Sequence, residues 1–258
     1  MSSYLCVVRY FLEIAYDGTA YNGWQVQPNG VTVQETVDKA LSTILRDAIH
    51  CIGCGRTDAG VHASQFYLHF DTDMPVPDDF LQRMNAFLPK DIGVYRLLPV
   101  HDKAHSRFDA RSRSYEYVLC RQKDVFRFGY VYYKPFHKLD LDRMQQACVI
   151  LQQFHDFPSF CKSKAGSKTT LVRIDEAKWE ERGNDLVFCI TADRFLRGMV
   201  RLVVGAMLQI GEGKMSLEEF EKGIREKQRF RLALSAPAHG LYLNHVRYDY
   251  IPERQDLN

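Results

Sequence analysis

The sequence predicts an α+β fold of two ferredoxin-like halves, each in the order β-α-β-β-α-β, side by side with a central cleft. Two observations predict it. Two-residue apolar alternation and 3.6-residue apolar stripes follow one another in that order through residues 1–103, and the same order recurs through 104–258. The repetition is one of element order, not of sequence.

In the first half, Val7 to Tyr16 is apolar and β-rich and reads as a strand ended by Asp17-Gly18. Thr32-Val33-Gln34-Glu35 has the form of a capping box, and behind it Val33, Val37, Leu41, Ile44 and Leu45 mark one helix face. Ile49 to Gly53 reads as a second strand, followed by the Gly55–Gly60 turn and an alternating strand from Gln65 to Phe70. Pro75 and Pro77 break the chain before a helix striped by Phe80, Leu81, Met84, Phe87 and Leu88; Pro89 ends it, and Val94 to Leu98 is the closing strand.

The boundary falls near Pro99–His105. Beyond it, Ser114 to Cys120 alternates as a strand, and Leu141, Met144, Cys148 and Leu151 mark a helix. Strands follow near Leu171–Trp179 and Leu186–Ala192, then a strong helix from Phe195 to Ile210. Ser216-Leu217-Glu218-Glu219 caps a short helix, and Leu241 to Tyr248 is the last strand.

No apolar run reaches the roughly 20 residues of a membrane span. Arg9 and Glu13 interrupt the one hydrophobic stretch near the N-terminus, so no signal peptide is expected. The seven cysteines are odd in number and lack framework spacing, which predicts reduced thiols and a cytoplasmic chain. Cys51 and Cys54 are either a redox pair or two core strand residues. Net charge is only +2, so a surface for a polyanion must be local. Two places fit: Lys162, Lys164, Lys168 and Arg173, with no acid among them, and Arg107, Arg111 and Arg113.

Three stretches carry chemistry. In Gly55-Arg56-Thr57-Asp58-Ala59-Gly60-Val61-His62-Ala63, two glycines bracket a tight turn with a carboxylate at its tip. Such a stretch is equally an ordinary Asp turn, or a metal site using Asp58 and His62 that lacks a third ligand at recognisable spacing. In Arg111-Ser112-Arg113-Ser114-Tyr115-Glu116-Tyr117, strand period puts Arg111, Arg113, Tyr115 and Tyr117 on one face, where cations beside an aromatic suit a phosphate next to an exposed base. A basic solvent face is the alternative. In Phe195-Leu196-Arg197-Gly198-Met199-Val200-Arg201, the spacing of Arg194, Arg197 and Arg201 puts three cations at a helix N-terminus, against the macrodipole preference for cations at the other end. That conflict points to an anionic ligand, or else to surface salt bridges.

These motifs resemble the TruA family of tRNA pseudouridine synthases, over about Tyr10 to Tyr248. The Gly55–Ala63 run matches the family's nucleophile loop, so the resemblance implies that Asp58 is the catalytic aspartate. Tyr115 falls on the family's active-site tyrosine and Arg201 on the arginine that pairs with the aspartate. His155-Asp156-Phe157 with Phe160, and Gly240-Leu241-Tyr242-Leu243, match further signatures, while Gln152-Gln153-Phe154 departs from the family's frequent glycine. The family implies two ferredoxin-like domains whose cleft binds RNA, a homodimer, no metal, no organic cofactor, and uridines 38–40 of the tRNA anticodon arm as substrate. Asp58 then attacks the nucleoside covalently or assists elimination through a glycal, and the sequence leaves both routes open. Arg201 is expected to keep Asp58 ionised, Tyr115 to stack on the flipped uracil, and Arg56 to fill the space the base leaves. Phosphate contacts are expected from Arg111, Arg113, Arg197, Lys162, Lys164 and Lys168. The rival readings are a non-catalytic RNA-binding protein and a metal-dependent hydrolase.

Overall fold

The computed structural model describes residues 7–134, 138–162, 169–230 and 235–254. The expected phosphate contacts Lys164 and Lys168 lie outside the described residues. The strands are β1 (Val8–Tyr16), β2 (Ile52–Gly53), β3 (His62–Thr72), β4 (Ile92–Val100), β5 (Ser112–Cys120), β6 (Tyr132–Tyr133), β7 (Ile174–Arg182), β8 (Asp185–Ala192) and β9 (Leu241–Arg247). The helices are α1 (Val33–Leu45), α2 (Phe80–Phe87), α3 (Leu141–Gln152), α4 (Met199–Gly211) and α5 (Leu217–Arg225). This is a mixed α/β chain.

It divides into two compact units, Met1–Arg111 with Leu243–Asn258, and Ser112–Tyr242. The division differs from 1–103 and 104–258 because the C-terminal tail is hydrogen-bonded to the first unit. Tyr250 Oη donates to Asp109 Oδ2 (2.7 Å), and Arg96 Nη1 donates to Pro252 O (2.9 Å).

The first unit has strand order β4-β1-β3-β9, with β2 also on β3. β1 is antiparallel to both β3 and β4. Its centre is buried on both faces, so Glu13 must be partnered. Arg96 Nε donates to its carboxylate, as do Gln65 Nε2 (3.0 Å) and Tyr67 Oη (3.2 Å). Helix α1 buries Val33, Val37, Ala40, Leu41 and Leu45, and Thr32 Oγ1 accepts from Glu35 N–H (3.3 Å) as its cap. The expected strand Ile49–Gly53 shrinks to two residues because α1 takes its amides. Ile49 N–H donates to Ser42 Oγ (2.9 Å) and Cys51 N–H to Asp38 Oδ1 (2.9 Å). Cys51 and Cys54 are buried, and burial beside Asp38 pushes the Cys51 thiol well up, as befits a packed residue and not a reactive one.

The second unit has strand order β5-β8-β7, antiparallel, with the short β6 parallel to β5. β7 starts at Ile174 and not near Leu171 because the preceding residues are tied elsewhere: Val172 N–H donates to His155 O (2.8 Å) and Phe157 N–H to Thr170 O (3.0 Å). Helix α3 buries Met144, Ala147, Cys148 and Leu151. Helix α4 is buried on most of its surface. It begins at Met199, not Phe195, because its N-cap Gly198 adopts φ 71°, a left-handed conformation that interrupts the helix. Ser216 caps α5 as expected, and both halves of a capping box form there. Among the described residues no helix is long and apolar enough to cross a membrane.

His69 gives the first unit a pH dependence. Its Nδ1 lies 2.9 Å from Ser106 Oγ. Burial, then His105 and Arg9, lower its pKa to about 4, against Asp71 and Asp109. The folded state therefore keeps a neutral ring that the unfolded chain protonates near its ordinary 6.5. Stability is full above pH 6.5 and falls as pH drops from there toward 4. Urea unfolding at pH 7 and pH 4.5 should show His69→Gln losing about 2 kcal/mol less than the wild type over that interval. Equal losses in both proteins would refute the assignment.

Candidate active-site residues

Asp58 sits in the loop between β2 and β3. Main-chain bonds fix the loop on both sides of it. Cys54 N–H donates to Tyr67 O (2.7 Å), Trp24 N–H to Thr57 O (3.3 Å), Val61 N–H to Asp58 O (3.2 Å) and Gly60 N–H to Tyr21 O (3.3 Å). The Thr57 side chain is buried, and its Oγ1 lies 2.9 Å from Tyr16 Oη. The backbone is held while Asp58 is half-buried and Arg56 exposed.

The two bracketing glycines differ. Gly60 adopts φ 75° and needs to be glycine for that reason, whereas a Cβ on Gly55 would touch nothing within 4 Å. The tight steric requirement lies in the segment facing the loop. A Cβ on Gly18 would sit 2.0 Å from Val61 O, and one on Gly23 (φ 83°) 2.3 Å from Thr57 O. His62 is buried, with Nδ1 3.1 Å from Gly18 N and 3.0 Å from Asp17 Oδ1, so its ring ties the Asp17-Gly18 turn to β3. Among the described residues no three His, Cys, Asp or Glu side chains gather as a metal-ligating group.

The other expected residues lie mostly in the second unit. Tyr115, half-buried in the middle of β5, meets Phe195 edge-on with ring centroids 5.0 Å apart. Arg113 Nη1 donates to Asp193 O (2.8 Å). Tyr117 shares their strand face by period, but it is fully buried and donates to Pro237 O (2.9 Å). Arg201, in the first turn of α4, is gripped by main chain: Nε donates to Ala236 O (2.7 Å), and its own carbonyl accepts from Ala236 N–H (2.9 Å). Arg194 and Arg197 are not on the helix; both precede Gly198. Lys162 N–H donates to Arg197 O (3.1 Å), and the Lys162 stem lies where a Cβ on Gly198 would fall, so Lys162 and Arg197 are neighbours. Arg111 belongs to the first unit and pairs with Asp249 (Nε to Oδ2, 2.7 Å).

Sequence reasoning missed the residues that hold these groups. Tyr16, Gly18 and Gly23 buttress the Asp58 loop, and Ala236 seats Arg201. The turn signals Asp17-Gly18 and Asn22-Gly23 are the available hints.

Comparisons with known proteins bear on what these groups do. A model of the family described as tRNA pseudouridine synthase matches residues 147–249, which include Arg201. The tRNA pseudouridine synthase A of Porphyromonas gingivalis is 46% identical over 247 residues, spanning 94% of this chain and 98% of its own. That of Parabacteroides distasonis is 44% identical, spanning 93% and 96%, and that of Bacillus subtilis 39% identical, spanning 94% and 100%. The chain belongs to the tRNA pseudouridine synthase A family. The family is one of isomerases. The shared span leaves 6% of the chain uncovered against the Porphyromonas gingivalis synthase, so the likeness extends through nearly all of both units.

In a tRNA pseudouridine synthase, the Tyr16–Thr57 bond should matter to turnover more than to binding. Tyr16→Phe removes one buried hydrogen bond at a cost of about 1 kcal/mol in stability. It should lower kcat for pseudouridine formation several-fold while leaving KM for tRNA unchanged, as steady-state kinetics with matched thermal melts would show. A raised KM at constant kcat would contradict a role confined to the loop.

Proposed function

We propose that this chain isomerises uridine to pseudouridine in the anticodon stem-loop of tRNA, at positions 38–40, with Asp58 as the nucleophile. The observation that carries the reading is the Asp58 loop. Four main-chain bonds and a buried hydroxyl pair immobilise its backbone, while the carboxylate itself is only half-buried. A carboxylate presented on fixed backbone is what covalent attack at a sugar carbon, or elimination to a glycal, requires. In this reading Arg201 is the cation that keeps the carboxylate ionised, Tyr115 the ring that stacks on the extracted uracil, and Arg56 the side chain that occupies the vacated stack. Arg111, Arg113, Arg197 and the segment Lys162, Lys164, Lys168 contact phosphates.

The fold component of the reading is that both halves are ferredoxin-like. In support, the elements β1-α1-β2-β3-α2-β4 follow the split β-α-β order, with β4-β1-β3 adjacent and β2 on β3, and β5-α3-β7-β8-α4-β9 repeats the order along the chain. We further infer a cytoplasmic homodimer, since an L-shaped tRNA is larger than the surface of two small domains and neither half carries an added tRNA-binding module.

Asp58→Asn keeps the size and removes the charge. It should abolish tritium release from C5-labelled uridine in tRNA while leaving tRNA affinity within a few-fold. Measurable turnover by the purified variant would defeat the nucleophile assignment. The basic segment makes a separate prediction. Replacing Lys162, Lys164 and Lys168 together should flatten the slope of log affinity against log salt by about one unit per lost phosphate contact. An unaltered slope would show that this segment is only solvated surface.

A further inference from the structure

Phe108 is 74% exposed, yet its backbone is tied into a hydrogen-bonded turn. His105 Nδ1 accepts from Arg107 N–H (3.1 Å) and Phe108 N–H (3.3 Å). Asp109 N–H donates to His105 O (3.0 Å), and Asp109 Oδ2 accepts from His105 N–H (2.8 Å). The turn is closed on itself by four hydrogen bonds.

The ring is also backed. Phe108 lies 4.2 Å from the His105 ring, His105 lies 4.7 Å from His69, and His69 stacks on Phe11 at 6.0 Å. A column of rings thus runs from the core to the surface and ends on a phenylalanine face. Burial keeps both imidazoles below their ordinary pKa, so the column is uncharged at neutral pH. The Arg107 guanidinium carbon lies 5.7 Å from the Phe108 centroid. Asp109 accepts from Tyr250 Oη (2.7 Å) as well as His105, and Asp249 pairs with Arg111. The turn is joined to the catalytic loop as well. Ser106 Oγ donates to Ile52 O (2.8 Å), in the strand that runs directly into the Asp58 loop.

Resting on the tRNA reading above, we infer that Phe108 is a stacking platform for an unpaired nucleobase of the tRNA, with Arg107 taking the adjoining phosphate. An exposed apolar ring, backed by His105 and with a guanidinium 5.7 Å from its centroid, matches a base with its phosphate, and it accepts any base because every base has a π face. The occupant is a loop nucleotide, since bases inside a duplex do not offer their faces. The cation beside the ring favours this polyanion over a second copy of the chain.

The test is the affinity of wild type, Phe108→Ala, Phe108→Tyr and Arg107→Ala for an unmodified tRNA transcript over a range of salt. Phe108→Ala should bind roughly 5- to 100-fold more weakly with an unchanged salt slope, and Phe108→Tyr within about twofold of wild type. Arg107→Ala should flatten the slope by about one unit. Thermal midpoints should stay level, because the ring lies outside the core. Wild-type affinity in Phe108→Ala would overturn the platform. So would a fall in its sedimenting mass, which would assign the ring to an interface between copies. The readout is binding, not turnover. A wild type that binds tRNA without isomerising it would sink the isomerase reading alone, whereas an active enzyme indifferent to Phe108→Ala would sink the platform alone.

Discussion

The close approach of the Asp17–Trp24 segment to the Asp58 loop is the constraint from which the candidate site follows. At Gly18 and Gly23 there is no room for even one side-chain carbon, since the loop's carbonyl oxygens already occupy that space. The same segment supplies carbonyls to the start of α1, where Val33 N–H donates to Gly23 O (3.2 Å) and Gln34 N–H to Trp24 O (3.0 Å). The first amides of a helix have no partner within it, so a segment that satisfies them is locked to the helix axis. Trp24 completes the lock from below, 4.2 Å from Phe66 and stacked on Tyr16. The backbone around the carboxylate is therefore referenced to a helix end and to the core in one contact. Half an ångström of slack at such a point is what preorganisation excludes.

The long elements were legible because their periodicity survives in the fold. The stripe Val33, Val37, Leu41, Leu45 is the buried face of α1, and the expected strands Ser114 to Cys120 and Leu186 to Ala192 fall within β5 and β8. Elements failed where side chains or single glycines override the pattern. Ile49 to Cys51 has strand composition, but Ser42 and Asp38 capture its amides. Phe195 to Gly198 has helical spacing, but one left-handed glycine delays the helix to Met199 and takes Arg194 and Arg197 off it. Asp58 stood out because a specific run surrounds it. Its supports did not, because Tyr16 reads as one more apolar strand residue and Gly23 as one more turn residue until their contacts are known.

Two buried polar side chains of the first unit show the same rule. Glu13 sits fully buried in the middle of β1, which is tolerable only because Arg96, Gln65 and Tyr67 all donate to it. Arg96 in turn donates to Tyr67 Oη (2.6 Å) and to Pro252 O, so the group that neutralises the carboxylate also holds the C-terminal tail. One of the two bonds that hold the tail to the first unit thus comes from the arginine that a buried acid requires. His62 is a second case: a histidine with 2% exposure is accommodated between Gly18 N–H and Asp17. Its position in the Gly55–Ala63 run reflects the tie it makes between the Asp17-Gly18 turn and β3.

Arg201, the cation expected in the second unit, is held by a different device. A long flexible side chain carries large rotamer entropy, and an arginine can shed it by committing one nitrogen to a fixed acceptor while the guanidinium plane keeps its other donors in a set direction. Nε takes that role here, on Ala236 O, and the reciprocal bond from Ala236 N–H to Arg201 O makes the two residues a closed pair. The seat is main chain, so it depends on the path of the segment and not on the side chain at 236. That path is fixed one residue on, where Tyr117 Oη holds Pro237 O, and again at Gly240, where a Cβ would lie 2.9 Å from the Tyr117 ring. The Tyr117 phenol stays protonated because burial pushes its pKa far up, and Arg201's charge only partly opposes this. The second tyrosine of the Arg113–Tyr117 motif therefore acts from beneath: it is too buried to meet a base, but it holds the segment on which Arg201 Nε is seated.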